Sequence, residues 1–288
     1  MESSLTTIGL PIALAIVMFG LGLGLSGEDF RRVAQRPKAV AVALGCQLVL
    51  LPLVCFGLVV LADLPALLGI GMMLLAASPG GTTANLFSHL FRGDVALNIT
   101  LTAVNSVISV VTLPIVTGFA IAYYDRGEDV SVPFGEVVKV FAIILVPVAI
   151  GMFVRARTTG FATRMDRPVR ALSAVVLAVL VLGILVDERE NVGGYLADVG
   201  VVATAFCAIS LVVGYVVPLA VGVVEGQAIA SSMEIGVHNG TLAIFIALEV
   251  LEAVTISVPA AVYSLVMFPL AASWGSLVSR RVRPPVAA

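Results

Sequence analysis

Glu234 lies in an apolar run, between Met233 and Ile235. At membrane depth a carboxylate costs roughly 2.5–3.5 kcal/mol on insertion scales, so it is paired with a cation, protonated or lining water. No Lys or Arg in that half of the chain is spaced to share its depth. A bound cation or a proton is then its natural partner. Hard cations take oxygen ligands, and the oxygen-bearing side chains set among apolar neighbours include Gln47, Asn85, Asn98 and Thr102. Asn98 and Thr102 are four residues apart and share one helix face, and Asn105 continues the stripe. Such a seam either holds an ion or bonds helices to one another. His238 stands one helical turn beyond Glu234 and could ligate a cation, donate to an anion or carry a proton. His89, close to Arg92, is expected at the membrane interface. Enzyme chemistry finds little to work with. Glu234 and His238 make the one acid–base pair, and no nucleophile is spaced to join them. No HExxH or GxxxxGK[ST] motif is present. Cys46, Cys55 and Cys207 sit in apolar runs without metal spacing and read as small buried hydrophobes.

The elements that must carry these residues are membrane spans. The chain has 288 residues, 60% hydrophobic and 12% charged, with a mean hydropathy of +1.12. Soluble domains run near 25% charged. The net charge of −2 offers no basic face for nucleic acid, and no obligate protein partner is implied. A span needs about 20 apolar residues. Candidates fall near 5–26, 38–61, 66–91, 95–123, 132–154, 168–186, 197–223, 227–251 and 255–279. The expectation is an all-α polytopic membrane protein of about nine helices in one unit, the first being a retained span rather than a signal peptide. Of the 16 Lys and Arg, all but Arg126, Lys139 and Arg189 fall on one side if the N-terminus is outside. That asymmetry orients the chain with its N-terminus out and its C-terminus in. The scarcity of targeting signals favours a cell (inner or plasma) membrane.

Two spans are interrupted. SPGGTTANLF at Ser78–Phe87 places Pro79, Gly80, Gly81, Thr82, Thr83 and Asn85 where an apolar span should continue. EIGVHNGT at Glu234–Thr241 does the same. These residues stop helices and let another segment cross closely. Each break is followed by an apolar stretch, a short turn and a further long span. The breaks fall in the third and eighth candidates, an odd number apart, so the two copies face opposite ways. Paired interrupted spans in inverted halves point to a transporter binding site near the bilayer midplane. The halves are taken as approximately 5–123 and 132–280. A channel would instead want a polar stripe through several spans.

Four segments carry a family resemblance: IVMFGLGLGL, CQLVLLP, SPGGTTANLFSHLFRGDVALNITLTAVNSVIS and EIGVHNGTLAI. In these, in their order and over most of its length, the chain resembles the bile acid:sodium symporter family, in particular its bacterial members. The resemblance implies a panel domain, approximately 5–26 and 132–186, beside a core, approximately 38–123 and 197–280. In the core the two broken helices cross. It implies symport of an organic anion with Na⁺ by alternating access, the substrates ranging from bile acids to small carboxylates. The first Na⁺ would use Asn85, Asn98, Thr102 and Glu234, although Ala84 and Asn98 stand where serines are common. The second would use Gln47, Glu234, the carbonyls of Ile235 and Val237, and His238 in place of the usual glutamine. Imidazole is a softer ligand than an amide oxygen, so the second ion is expected to be weakened or replaced by H⁺. The alternative is a proton-coupled or passive carrier or exporter of the same fold. Thr82 and Asn239, with Gly81 and Gly240 beside them, match the positions that reach substrate.

Overall fold

The computed structural model describes residues 15–16, 18–20, 22–24, 26–124, 134–187 and 192–281. Nearly all of them are helical, as apolar sequence in lipid requires, since a helix satisfies its own backbone. The first expected span, near 5–26, lies largely outside the described residues; the described positions from 15 to 24 are helical. The elements are α1 (Gly27–Val33), α2 (Pro37–Gly45), a π-helical turn (Cys46–Leu50), α3 (Leu51–Leu61), α4 (Ala66–Ala77), α5 (Thr82–Leu90) and α6 (Val95–Tyr124). Then follow α7 (Phe134–Arg157), α8 (Thr159–Asp187), α9 (Val192–Ala220), α10 (Glu225–Gly236), α11 (Gly240–Glu249), α12 (Val254–Val278) and a 3₁₀ turn (Ser279–Arg281).

Among the described residues three continuous stretches are long and apolar enough to cross a membrane: Pro37–Leu61, Val199–Ala220 and Val254–Val278. A fourth is α6, bent by 55° between Val95–Ser109 and Val111–Tyr124. Pro114 lies one turn past that bend and cannot donate to the carbonyl four residues back, which kinks the helix. Pro52 acts alike on the second span. It removes the N–H that would bond residue 48, and the helix widens into the π turn, where the Leu51 N–H reaches back to the Cys46 carbonyl. The helix through the sixth candidate starts at Thr159 instead of near 168. RMDRPVR is too polar for hydrocarbon but is helical all the same, so hydropathy marks the apolar length and misses the polar turns before it.

Both interrupted spans are broken. α4 ends at Ala77, and Ser78 turns extended (φ −71°, ψ 143°), the geometry a following proline demands. α5 begins at Thr82 with Gly81 extended before it (φ −88°, ψ 167°). α10 ends at Gly236, and Val237 leaves the helix (φ −111°, ψ 81°). The approaches to the two breaks match in detail. The turn before α4 puts Asp63 in the left-handed region, with Leu64 N–H bonded to Val59 O and Asp63 N–H to Val60 O. The turn before α10 puts Gly222 there, with Val223 N–H bonded to Pro218 O and Gly222 N–H to Leu219 O. α4 and α10 each follow three residues later and each run 12 residues. Val95 and Val254 then open α6 and α12 at the same interval.

The broken helices form the core. Every residue from Leu68 to Ala77, from Ala228 to Gly236 and from Gly240 to Ala247 is buried. α6, α9 and α12 pack around them, and their outward faces expose residues such as Val111, Ile115, Val201 and Leu277. Such an apolar exterior needs lipid around it. A second group lies to one side, where α7 packs on α8 and on the N-terminal helical residues. Arg155 donates to the Leu23 carbonyl at 2.8 Å. Gly22 and Gly151 approach so closely that a Cβ on either would strike the opposite backbone, the close approach that small residues permit between membrane helices. α8 touches α11 and α12. Turns fix the ends: Arg36 pairs with Asp94, and the Asp94 N–H donates to Gly226 O at 2.7 Å. These bonds set the α1–α2, α5–α6 and α9–α10 turns at one end of the molecule.

Candidate site at the crossing of the two breaks

The breaks meet as a single antiparallel β-bridge between Gly80 and His238. The Gly81 N–H donates to Val237 O at 3.0 Å and the Asn239 N–H to Pro79 O at 2.8 Å. Each break exposes peptide groups that the other satisfies, which compensates the loss of helical hydrogen bonds away from water.

Glu234 stands on α10 directly behind this bridge and is 2% exposed. The Thr102 hydroxyl donates to its Oε2 at 2.5 Å, and Oε1 has no hydrogen-bond partner. A Cβ on Gly80 would strike the carboxyl group, so only glycine fits opposite it. The seam on α6 aligns with α10 turn for turn. Asn98 Nδ2 donates to Ala230 O at 2.7 Å, and Thr102, one turn on, reaches Glu234, one turn on from Ala230. The Asn98 Oδ1 is left without a partner, as are the Asn85 Oδ1 and both amide atoms of Asn105. Buried amide and carboxylate oxygens with no donor are costly. Oxygens without donors suit a hard cation, which needs acceptors only. Ala84 is fully buried and brings no oxygen.

At the end of the first half-helix the Ser78 carbonyl accepts from Gln47 Nε2 at 3.1 Å and lies 3.1 Å from His238 Nδ1. Gln47 Oε1 and His238 Nε2 have no partners. Gln47 sits in the π turn. Ile235 and Val237 are fully buried, and one lone pair of the Val237 carbonyl is taken by Gly81. The structure thus gathers Asn98, Thr102 and Glu234 by direct bonds, and Gln47 and His238 through Ser78. Asn85 is half-buried on α5.

The two half-helix N-termini at the crossing differ. Asn239 caps α11, its Oδ1 accepting from Leu242 N–H at 3.1 Å, and the Gly240 N–H bonds the His238 carbonyl. No side chain caps α5, which opens at Thr82 after Gly81; the Thr82 side chain lies outside the described residues. His89 is exposed near the end of α5. Ser78 and Tyr263 escaped the sequence reading. Ser78 acts through its carbonyl, which every residue has, and Tyr263, whose hydroxyl donates to Gly236 O at 2.9 Å, looks like any aromatic in an apolar run. Among the described residues no three of His, Cys, Asp and Glu group to hold a metal.

A helical membrane protein whose two broken helices cross at a buried acid is the class the geometry defines. The profile of the sodium bile acid symporter family matches residues 11–195, and the chain belongs to that family. The uncharacterized sodium-dependent transporter YocS of Bacillus subtilis (strain 168) is 29% identical over 183 residues, 62% of this chain and 55% of its own length. The probable sodium/metabolite cotransporter BASS1, chloroplastic, of Oryza sativa subsp. japonica is 26% identical over 274 residues, 92% of this chain and 66% of its own length. The human ileal sodium/bile acid cotransporter is 28% identical over 145 residues, 50% of this chain and 42% of its own. The chain thus spans less than two thirds of the length of each. The family is named for sodium-coupled symport, and the long apolar helices of this chain suit a helical membrane protein.

Proposed function

We propose that the protein is a sodium-coupled secondary active transporter that carries a small organic anion by alternating access. The observation that carries this reading is the Glu234 carboxyl group, buried at the crossing with the Thr102 hydroxyl on one oxygen and no cationic side chain paired with it among the described residues. Na⁺ as cargo would supply the missing charge. Asn85, Asn98, Thr102 and Glu234 offer oxygens for the first ion, and the unpartnered Asn98 and Asn85 oxygens fit a cation that brings no donor of its own. Gln47, Glu234 and the carbonyls of Ile235 and Val237 are the candidates for a second ion, with His238 beside them. The substrate carboxylate would meet the uncapped N-terminus of α5 at Gly81 and Thr82, where helix N–H groups and the dipole favour an anion. Asn239 and Gly240 face it from the other break, with Asn239 contributing Nδ2 while its oxygen caps α11.

The matching turns before α4 and α10 support two inverted halves, approximately 5–123 and 132–280. The close packing of α7 on the N-terminal residues supports a panel, approximately 5–26 and 132–186, that would rock against the core, approximately 38–123 and 197–280. About nine spans are expected, in a cell membrane with the N-terminus outside. Proteoliposomes holding the protein should take up a carboxylate saturably under an inward Na⁺ gradient and not under a pH gradient alone. Uptake driven by pH alone would favour a proton-coupled carrier. Glu234→Gln should abolish the sodium-dependent rise in melting temperature while leaving the sodium-free melt nearly unchanged. Undiminished sodium stabilisation in that variant would overturn the assignment.

A further inference from the structure

The two halves break by different means. In the first, Pro79 has no N–H and forces Ser78 out of the helix. Counted from the matched starts of α4 and α10, the residue in the place of Pro79 is His238. Val237, His238 and Asn239 all carry N–H groups, so no covalent feature stops the second helix there. His238 carries an imidazole instead. Its Nδ1 lies 3.1 Å from the Ser78 carbonyl oxygen. A carbonyl can only accept, so Nδ1 bears the proton and Nε2 the lone pair. Phe206 stacks on the ring at 5.6 Å and Tyr263 meets it edge-on at 5.4 Å. The His238 backbone faces Gly80 in the bridge, and Gly80 abuts the Glu234 carboxyl group. One residue therefore ties the second break to the first through both side chain and main chain, on the strand against which the acid packs.

We propose that His238 is a positioning residue: the bond from its Nδ1–H to Ser78 takes the place of a proline in the second half and fixes Glu234 for its cation. The proposal rests on the reading of Glu234 as a cation ligand, and it assigns His238 to the frame of the site rather than to the ligands.

Asparagine and glutamine separate the two nitrogens, because the Asn amide nitrogen can stand at Nδ1 and the Gln amide at Nε2. Melting temperature is measured against Na⁺ concentration for wild type, His238→Asn, His238→Gln and His238→Ala. His238→Asn should keep the sodium midpoint within about threefold. His238→Gln and His238→Ala should raise it at least about tenfold, the scale of a lost buried hydrogen bond. The reverse order, with Gln conservative and Asn not, would overturn the proposal, as would midpoints unmoved in all three. The chain has 2 histidines, so ¹⁵N-histidine spectra of His89→Asn report His238 alone. A protonated Nδ1 and bare Nε2 are expected; the opposite tautomer would also overturn the proposal. Should wild type show no response to sodium, the transporter reading fails separately. The tautomer and the sodium-free melts of the Asn and Gln variants then still decide what holds the break.

Discussion

Gly80 has no side chain because the Glu234 carboxyl group occupies the space. Gly80→Ala forces either the carboxyl group or the bridge to move, and overpacking of this kind costs about 1–3 kcal/mol. The variant should melt lower and should lose most of its sodium response, whereas a merely destabilised protein would keep the response at a lower temperature. Paired melts with and without Na⁺ distinguish these. At this scale the sequence reveals residues that contradict their surroundings. Glu234, Gln47 and the Asn98–Thr102 seam stand out because polar atoms are expensive in an apolar span. Asn239 shows the limit. Its polarity is plain, but whether its oxygen reaches outward or turns back to cap α11 depends on backbone angles set by the bridge. The role of the Ser78 carbonyl has no signature in composition at all.

Pro52 shapes its helix from one turn beyond Gln47. The π turn at Cys46–Leu50 sets the angle at which Gln47 approaches Ser78, and widened turns of this kind are frequent at functional sites. Pro52→Ala restores an N–H and favours an ordinary α-helix through the turn. The expected result is a sodium midpoint raised by about tenfold, consistent with a displaced buried hydrogen bond, with little loss of melting temperature. An unchanged midpoint would mean that the π turn is incidental to the site. Three of the expected spans coincide with long apolar helices among the described residues, Pro37–Leu61, Val199–Ala220 and Val254–Val278. Two features escaped that reading. The polar start of α8 lies outside any apolar window, and the bend in α6 depends on how its neighbours let Pro114 relax.

At the scale of the molecule the two proposed halves share turns and helix starts but not a chemistry. The turns and helix starts correspond, whereas the acid and the Asn98–Thr102 seam that meets it combine α10 of one half with α6 of the other. If the halves are inverted and the N-terminus lies outside, as proposed, Asp63 and Glu252 fall at the outer face and Gly222 and Arg164 at the inner face. The three native cysteines are buried, which gives a quiet background for single introduced thiols. Asp63→Cys and Glu252→Cys should react with a membrane-impermeant maleimide on intact cells; Gly222→Cys and Arg164→Cys should react only after permeabilisation. Labelling of all four from outside would refute the inverted arrangement. The bridge between Gly80 and His238 also governs how the protein comes into being. Its strands lie far apart along the chain, so closing them carries a large loop entropy. During synthesis the first break must wait, with its peptide groups unsatisfied, until the ribosome has released most of the second half. A nascent chain arrested before His238 would hold an open kink in the bilayer, a ready target for membrane proteolysis.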